Sequence, residues 1–328
     1  MIVHDPHEIV TDDMFVELHG FVEGSDVFVK LEGLNPAGSI KLKPAVAMIE
    51  RCERRGELVP GGRFVESSSG SLGVALAMVA AARGYHFTCV VDPNVSRQSL
   101  DVIRSLGAAI VRVQGRDANG GFLATRIAAV HDMLDSDPKL VWLNQYANPA
   151  NPDAHADSTA TAILRELGRV DHLFVGAGTT GTLMGCARHF RAFSPWTHLV
   201  AVDSVGSVTF GGQSGPRHLP GLGASRRPEL YSPDAAAEHV LVDEVEAVRV
   251  CRHMAGRYGL LLGASSGSIL AAVLRAAGRI PAGSRVVALS PDLGDRYVQT
   301  IYNDQWAAET YGPDALLPLL PARRNVAA

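Results

Sequence analysis

The sequence is short of cysteine and of long apolar runs, and each shortage excludes a class of protein. Its four cysteines are far apart, with no CxxC pair and no histidine at metal-ligand spacing, so neither disulfides nor a metal site is predicted. The amino terminus also lacks the charged and apolar regions of a signal peptide, so reduced core thiols in a cytoplasmic protein are expected. The longest apolar run, Leu72–Ala82, is far below membrane-spanning length.

The sequence has no excess of positive charge. With a net charge of −4, the chain lacks the excess of basic residues that nucleic-acid-binding proteins carry, so neither nucleic acid nor membrane is expected as a partner. Only four of the 30 basic residues are lysines, which leaves Lys30, Lys41, Lys43 and Lys139 as candidates for lysine-dependent covalent chemistry. With 328 residues, 47% of them hydrophobic, the chain is long enough for one large or two medium globular domains.

Short apolar runs alternate with amphipathic stretches along most of the chain. Strands separated by helices of this length form right-handed crossovers and parallel sheet, which predicts an α/β fold. Residues 206–227 interrupt the pattern with six glycines and little periodicity, which is typical of an active-site or binding loop. Strands are predicted at Val27–Leu31, His86–Asp92, Ala109–Val113, Val141–Asn144, Leu173–Gly176, Leu199–Asp203 and Arg285–Ser290, and helices at Leu72–Arg83, Arg97–Leu106, Gly121–Leu134, Ala156–Leu167 and Thr182–Arg191.

One lysine stands in a turn that leads into a helix. In the run Asn-Pro-Ala-Gly-Ser-Ile-Lys (residues 35–41), the Asn-Pro pair and the glycine form the turn, and Ser39 is the predicted N-cap. Lys41 then falls in the first helical turn, where the helix dipole disfavours a cation and lowers an amine pKa. That position suits a neutral nucleophile or base, although a solvated surface lysine explains this segment alone at least as well.

A glycine- and threonine-rich segment follows the predicted strand that ends at Gly176. In Gly-Ala-Gly-Thr-Thr-Gly-Thr (residues 176–182), glycines permit close backbone approach and the N–H groups point at the entrance of a helix. These features predict a phosphate cradle, although a glycine-rich turn without a ligand remains the alternative. The segment lacks the Lys-Ser/Thr ending of a nucleotide P-loop, and it does not fit the GxGxxG pattern with a ribose-binding acid that marks dinucleotide sites. The phosphate of a small cofactor is therefore favoured.

Two serine-rich segments also open helices. Glu-Ser-Ser-Ser-Gly-Ser-Leu-Gly (residues 66–73) contains more serines than one N-cap needs, which favours a ring of donors around a carboxylate. The pair Ser265-Ser266 follows the apolar stretch Gly259–Leu262 in the same manner. Such segments stand at strand ends, which is where the ligand sites of open α/β sheets are found.

Together these segments resemble the cysteine synthase branch of the fold-type II pyridoxal 5′-phosphate enzymes, from Lys30 to about Tyr302. The motifs NPAGSIK, SSSGSLG, QYANPANP (residues 145–152), GTTGT and SPDLGDRY (residues 290–297) stand in the family order. The resemblance implies that Lys41 is the Schiff-base lysine of this cofactor. It also implies cofactor binding by Ser71, Gly178, Thr179, Thr180, Gly181, Thr182 and Ser265, and substrate-carboxylate binding by Ser68, Ser69, Gly70 and Gln145.

The family fold is α/β and similar to the tryptophan synthase β subunit, with two open twisted parallel-sheet domains and the cofactor in the cleft between them. The resemblance implies a smaller mobile domain at residues 39–150 and a larger domain formed by residues 1–38 with 151–328. Closure of the carboxylate loop is the expected gating motion. A homodimer is expected from the resemblance alone.

The activity implied is β-replacement on an activated L-serine. Lys41, released when the substrate amine takes its place, removes the α-proton, the β-substituent leaves, and a nucleophile attacks the resulting α-aminoacrylate. A serine hydroxyl at Ser265 opposite the pyridine nitrogen favours elimination over transamination. A regulatory subunit that binds the cofactor without turnover is the alternative from another class, and retention of Lys41 and of the carboxylate loop argues against it.

Departures from ordinary cysteine synthases point to one subgroup. Ser71 replaces an asparagine that contacts the cofactor's phenolic oxygen, and Leu-Lys-Pro (residues 42–44) follows the lysine in place of Asp-Arg. These features look like the subgroup that joins O-phospho-L-serine to L-glutamate, giving N-(2-amino-2-carboxyethyl)-L-glutamate for 2,3-diaminopropionate in siderophores or peptide antibiotics. The phosphate leaving group and the two carboxylates of glutamate would need cations beyond those that hold the cofactor. Arg217, His218 and Lys43 are candidates, although Arg217 also fits a solvated loop arginine. A cysteine synthase using O-acetylserine or O-phosphoserine with sulfide is the alternative.

Overall fold

The computed structural model describes residues 2–68 and 70–319, in which strands and helices alternate and the strands form two sheets. The strands are β1 (Phe15–Glu17), β2 (Asp26–Leu31), β3 (Arg63–Ser67), β4 (His86–Val91), β5 (Ala109–Arg112), β6 (Val141–Trp142), β7 (His172–Gly176), β8 (His198–Ser204), β9 (Glu238–Val242) and β10 (Arg285–Ser290). The α-helices are α1 (Leu42–Arg54), α2 (Ser71–Arg83), α3 (Arg97–Ser105), α4 (Leu123–Ser136), α5 (Ala150–Ala154), α6 (Thr161–Leu167), α7 (Gly181–Phe193), α8 (Glu244–Tyr258), α9 (Ala264–Ala276) and α10 (Asp304–Tyr311). A π-helix spans His155–Ala160, and 3₁₀ turns lie at Pro6–Glu8, Pro233–Ala235, Ala277–Arg279, Gly294–Tyr297 and Pro313–Leu316.

The larger sheet has the strand order β1-β2-β10-β7-β8-β9. Its neighbours are parallel except for β1 and β2, which are antiparallel. Successive side chains of the central strands enter opposite layers of the core, since Phe174 and Val286 pack with α9 whereas Leu173 and Val287 pack with α7. Burial of both faces explains why these strands read as continuous apolar runs in the sequence.

The smaller sheet has the strand order β5-β4-β3-β6, and all of its neighbours are parallel. Helices α1, α2 and α3 pack together with it around a separate apolar core that extends from Ala37 to Ala150. Phe64 and Phe87 stack in this core with ring centroids 4.8 Å apart. Two cores on two sheets agree with a two-domain chain, while the division after residues 38 and 150 and the mobility of the smaller domain stay predictions.

The predicted α/β architecture with parallel sheets is confirmed. Three strands were missed, and one predicted helix, Ala156–Leu167, is a π-helix followed by α6. Strand β1 has only three residues, and β3 and β9 carry charged residues that mask their apolar pattern. The expected position of Lys41 in the first helical turn is wrong by one residue, because α1 begins at Leu42 and Lys41 is its N-cap. Within the described residues, no helix is both long enough and apolar enough to cross a membrane.

Candidate active site

The lysine turn (residues 35–41) is hydrogen-bonded to residues that directly follow two neighbouring strands of the larger sheet, β2 and β10. The side-chain amide of Asn35 donates to the carbonyls of Glu32 and Ser39 at 2.9 Å, and Gly38 adopts the left-handed φ of +66° that the turn requires. The Ile40 N–H donates to the carbonyl of Pro291, 2.7 Å away and just after β10. The side-chain hydroxyl of the predicted cap residue Ser39 accepts from the Lys41 N–H at 3.3 Å.

Lys41 carries an amine of lowered basicity at the end of this turn. Its side chain is only partly exposed, and loss of hydration lowers the pKa of the amine from 10.5 to about 8. Because no ion pair offsets that loss within the described residues, a substantial fraction of the amine is neutral near physiological pH. A neutral amine is the form that adds to a carbonyl group or accepts a proton.

The segment 176–182 folds as a cradle at the amino terminus of α7. Thr180 takes the left-handed region, with a φ of +66° that is costly for a β-branched residue. Its buried hydroxyl has no hydrogen-bond partner among the described residues. The helix N-terminus adds free N–H groups and a favourable field for an anion, so the cradle could hold a phosphate.

The glycine-rich loop at residues 206–227 lies against this cradle. The Gly223 N–H donates to the Ala177 carbonyl at 3.0 Å, and a Cβ on Gly178 would meet the Gly221 carbonyl oxygen at 2.8 Å. On its other side, a Cβ on Gly221 would lie 3.1 Å from the Cβ of Ser265 in the first turn of α9. The loop therefore joins two of the sequence-predicted cofactor segments.

The serine segment opens α2 at the carboxyl end of β3. The Ser68 hydroxyl accepts from the Gly73 N–H at 3.0 Å, so it caps the helix as well as standing where a carboxylate is expected. Gly70 faces open space, and Ser71 is the first helical residue, whose N–H is among those left unbonded at a helix start. Ser69 lies outside the described residues.

Gln145, which the resemblance assigns to the substrate carboxylate, lies beside this segment and contacts buried Glu66. Its backbone N–H donates to the Glu66 carboxylate at 3.1 Å, and its side-chain amide donates to the Ser67 carbonyl at 2.8 Å. Burial raises the pKa of Glu66 to about 7, although N–H donation from Ser67 and Gln145 favours the carboxylate. These two hydrogen bonds hold Gln145 beside the carboxyl end of β3 in the smaller sheet.

The three residues suggested as cations for the leaving phosphate and the carboxylates of glutamate differ in burial and in their partners. Arg217 is half-buried, donates to the Gly206 carbonyl, and packs on Gly223 beside the cradle. His218 is exposed; its N–H donates to Glu244 at 2.9 and 3.0 Å and its ring meets Tyr311 edge-on. The suggestion for Lys43 is wrong. Its amine is buried and ion-paired with Asp12 and Glu32.

One arginine in a helix that packs against the smaller sheet is buried, although nothing in the sequence predicts it. Arg126 in α4 is almost fully buried, and its Nε lies 3.2 Å from the carboxylate of Asp92 without forming an aligned hydrogen bond. Its charge also lowers the pKa of Tyr146, the residue after Gln145, against the larger upward effect of burial. An arginine on an amphipathic helix gives no sequence signal of burial, so only the fold could identify it.

A cavity of about 760 Å³ opens at the amino ends of the strands of the larger sheet. Its charged groups are mutually paired, for example Arg279 with Glu238 and Arg169 with Asp171. The lysine turn, the cradle and the serine segment instead lie where the strands end, which is the ligand-binding edge of open α/β sheets. The chemistry of the residues therefore places the candidate site away from this cavity.

Comparisons with known proteins identify the family of this chain. A family model described as pyridoxal-phosphate dependent enzyme matches residues 11–292. N-(2-amino-2-carboxyethyl)-L-glutamate synthase from Ralstonia nicotianae is 47% identical over 285 residues, 87% of this chain and 84% of that protein. The protein of the same name from Cupriavidus metallidurans is 42% identical over 307 residues, 92% and 90% of the two chains. The crystal structure of O-ureido-L-serine synthase superposes with a TM-score of 0.85 at 32% identity, covering 94% of this chain and 100% of that one.

The chain belongs to the family of pyridoxal-phosphate-dependent enzymes and is an enzyme of β-replacement. The residues present fit the cofactor. The unpartnered Thr180 hydroxyl and the start of α7 suit its phosphate, and the desolvated Lys41 amine suits its aldehyde.

Proposed function

We propose that the protein joins O-phospho-L-serine to L-glutamate, forming N-(2-amino-2-carboxyethyl)-L-glutamate and inorganic phosphate. The observation that carries this proposal is the similarity to two synthases of that name, at 47% and 42% identity over most of each chain. In the reaction, the Cβ–O bond of phosphoserine breaks and phosphate leaves with the electron pair. The glutamate nitrogen bonds to Cβ and loses one proton.

The chemistry at Cα depends on Lys41 in this proposal. Bound pyridoxal phosphate supplies an aldehyde for the amino group and a ring that accepts electron density from Cα. The Lys41 amine, with its pKa near 8, removes the Cα proton and later returns it. A base with this pKa is divided between its two protonation states at neutral to mildly alkaline pH, so it can serve in both directions.

The loops hold the ligands in an orientation that the reaction needs. We assign the phosphate of the cofactor to the cradle of Gly178, Thr179, Thr180, Gly181 and Thr182, its ring nitrogen to Ser265 and its phenolic oxygen to Ser71. We assign the substrate carboxylate to Ser68, Ser69, Gly70 and Gln145. The N–H groups at the start of α2 support this assignment, since helix N-termini bind carboxylates.

The leaving phosphate and the second carboxylate of glutamate need further positive charge. Arg126 lies in the cluster of Glu66 and Tyr146, next to Gln145, but it is buried and already faces the carboxylate of Asp92 at 3.2 Å, as Lys43 faces its own carboxylates. Arg217 is the candidate beside the cradle. His218 has weaker support, because its backbone and ring face α8 and α10.

A competition between nucleophiles tests the proposal. The purified enzyme is supplied with O-phosphoserine or O-acetylserine, each with glutamate, aspartate or sulfide, and the products are identified by mass. The expected result is the glutamate adduct from phosphoserine, with phosphate released in equal amount. Cysteine as the dominant product would assign the enzyme to cysteine synthesis instead. Binding of either serine ester without turnover of any nucleophile would favour a regulatory protein.

Three broader properties are part of the same proposal. We propose that the product serves 2,3-diaminopropionate formation for a siderophore or peptide antibiotic, and that the enzyme is a cytoplasmic homodimer. The four thiols support a reducing compartment, since all are free and buried apart from one another. Sedimentation of the holoenzyme at its assay concentration tests the dimer, which a single species of about 35 kDa would contradict.

A further inference from the structure

A buried polar chain connects the helix after Lys41 with the helix of the phosphate cradle. The Lys43 amine donates to the Thr159 hydroxyl at 2.9 Å, and that hydroxyl lies 3.2 Å from Nδ1 of His155. On the other side of the ring, Nε2 of His155 lies 3.2 Å from the hydroxyl of Thr182. Lys43, Thr159 and His155 are all buried, and Thr182 stands at the start of α7.

The π-helix brings this chain into position. His155 and Thr159 both lie in its single turn, and such turns are frequent at functional sites. Gly185 of α7 permits the close packing, since a Cβ there would meet the Pro152 carbonyl at 2.4 Å and the His155 Cβ at 2.7 Å. The close packing sets the imidazole against the first turn of α7.

The donor inventory is consistent with a directed chain of hydrogen bonds that starts at Lys43. An ammonium group has no acceptor, so the Thr159 oxygen accepts from Lys43 and its own proton is free to go to Nδ1 of His155. An imidazole that accepts at Nδ1 carries its proton on Nε2, which then donates to the Thr182 oxygen. With Nε2 as the donor, the Thr182 hydroxyl keeps its own proton for a further acceptor.

Charged groups surround this chain at Lys43 and at His155. Lys43 is ion-paired with Glu32 and Asp12, and the fully buried Lys30 pairs with Glu32 at 2.8 Å, so two cations face two carboxylates. Burial, followed by the positive charges of Lys43, Lys41 and Lys30, holds the pKa of His155 well below its usual value. The imidazole is therefore neutral, as one donor and one acceptor require.

We propose that Lys43, Thr159 and His155 are positioning residues that hold the Thr182 hydroxyl as a hydrogen-bond donor to the cofactor phosphate. The inference rests on the proposed role of the cradle and extends it to three residues behind the first layer. A histidine beside a phosphate would ordinarily be taken for a cationic ligand. Here it is a neutral relay whose orientation is set from the far side by a lysine.

Cofactor affinity gives one test that does not depend on turnover. Apoenzyme is titrated with pyridoxal phosphate and with pyridoxal, which lacks the phosphate. Thr182→Val should weaken pyridoxal phosphate by about tenfold or more and Thr159→Val by about three- to tenfold, because one hydrogen bond to an anion is lost or misdirected. Neither change should alter the affinity for pyridoxal. Thr159→Ser keeps the hydroxyl and should restore the affinity of the parent enzyme.

Nitrogen NMR of the holoenzyme, labelled with ¹⁵N-histidine, gives a second test. His155, assigned by the signal lost in His155→Gln, should show an unprotonated Nδ1 and a protonated Nε2. In Thr159→Val this preference should diminish, and the ³¹P signal of the bound cofactor should shift. A cationic His155 or the opposite tautomer in the parent enzyme would overturn the inference.

The outcomes also separate this inference from the site proposal. If Thr182→Val weakens pyridoxal phosphate selectively while Thr159→Val leaves both affinity and ³¹P signal unchanged, the cradle binds phosphate and the relay is wrong. If Thr182→Val has no selective effect, Thr182 does not bind the phosphate and the relay has no function. Valine has the shape of threonine but lacks the hydroxyl that buried partners use, so circular dichroism of the apoenzymes checks that both variants fold, and Thr159→Ser is the variant that keeps the hydroxyl.

Discussion

The four lysines of this chain occupy three kinds of environment, and only one suits covalent chemistry. Lys30 and Lys43 are buried against carboxylates, and Lys139 is exposed. Lys41 is desolvated without an ion pair among the described residues. Ion pairing favours the ammonium form, whereas desolvation alone favours the neutral amine. The sequence had reduced the choice to four residues, and their environments single out Lys41.

Replacement of this lysine gives the first prediction. Lys41→Ala should abolish the near-ultraviolet and visible absorbance of protein-bound pyridoxal phosphate, and β-replacement should fall by at least about a thousandfold, as expected when a covalent catalyst is removed. The fold should persist, because Lys41 is an N-cap whose side chain makes no capping bond. Lys139→Ala is the matched control and should retain the band. A band that survives in Lys41→Ala would place the cofactor on another lysine.

The lowered pKa of Lys41 gives a second prediction, on pH dependence. Imine formation requires the neutral amine, so the rate of cofactor uptake by apoenzyme should rise with pH and level off above about 8. An amine at the ordinary value would keep gaining neutral fraction up to 10.5. Stopped-flow absorbance after mixing apoenzyme with pyridoxal phosphate measures this rate. A rate that climbs without a plateau through pH 9, about one unit above the stated pKa, would show that Lys41 is hydrated in solution.

At the level of single elements, the start of α7 depends on close packing that only glycine permits. A Cβ on Gly181 would lie 2.0 Å from the side-chain oxygen of Asn151. Asn151 has little freedom to move, since it is buried and its amide donates to the Gln145 carbonyl and the Thr179 hydroxyl. The cradle is therefore held in shape by the segment that carries Gln145.

Gly181→Ala should consequently displace the first turn of α7. The expected result is a loss of about 1–3 kcal/mol in the free energy of unfolding, typical of overpacking, together with weaker cofactor binding. Gly256→Ala, in the last turn of α8 with no neighbouring atom within 4 Å, is the matched control and should stabilise by up to about 1 kcal/mol. Denaturant unfolding and cofactor titration of the two variants measure both effects. Equal stability and affinity in Gly181→Ala would contradict the packing argument.

Elements with strong local signals were predicted from the sequence, and those that depend on tertiary contacts were not. The cradle and the lysine turn were identifiable because glycine, proline and asparagine dictate their backbones. The burial of Lys43 was unpredictable, because its partners Asp12 and Glu32 flank the paired strands β1 and β2 and meet it only in the folded chain. The relay through His155 depends on a π-helix, which no periodicity in the sequence announces.

At the scale of the whole molecule, a few hydrogen bonds join the two sheets' loops across the proposed cleft. The Asn119 side chain donates to the Ser225 carbonyl at 2.9 Å, and the Ser214 hydroxyl donates to the Asn119 carbonyl at 3.0 Å. The Leu230 N–H donates to the carbonyl of Tyr146 at 3.0 Å. These bonds hold the glycine-rich loop of the larger unit against the smaller one, so they oppose opening of the site.

Removal of one of these bonds tests whether the smaller unit moves. Asn119→Ala deletes the bond to Ser225, and the loss of about 1 kcal/mol should raise the population of the open form about fivefold. Hydrogen exchange in residues 206–227 should become faster by that factor while the cores of both sheets stay as protected as before. Asn94→Ala, at an exposed position in the smaller unit, is the matched control and should leave exchange unchanged. Identical exchange in both variants would mean that the units do not separate at this contact, and the predicted mobility of residues 39–150 would lose its structural basis.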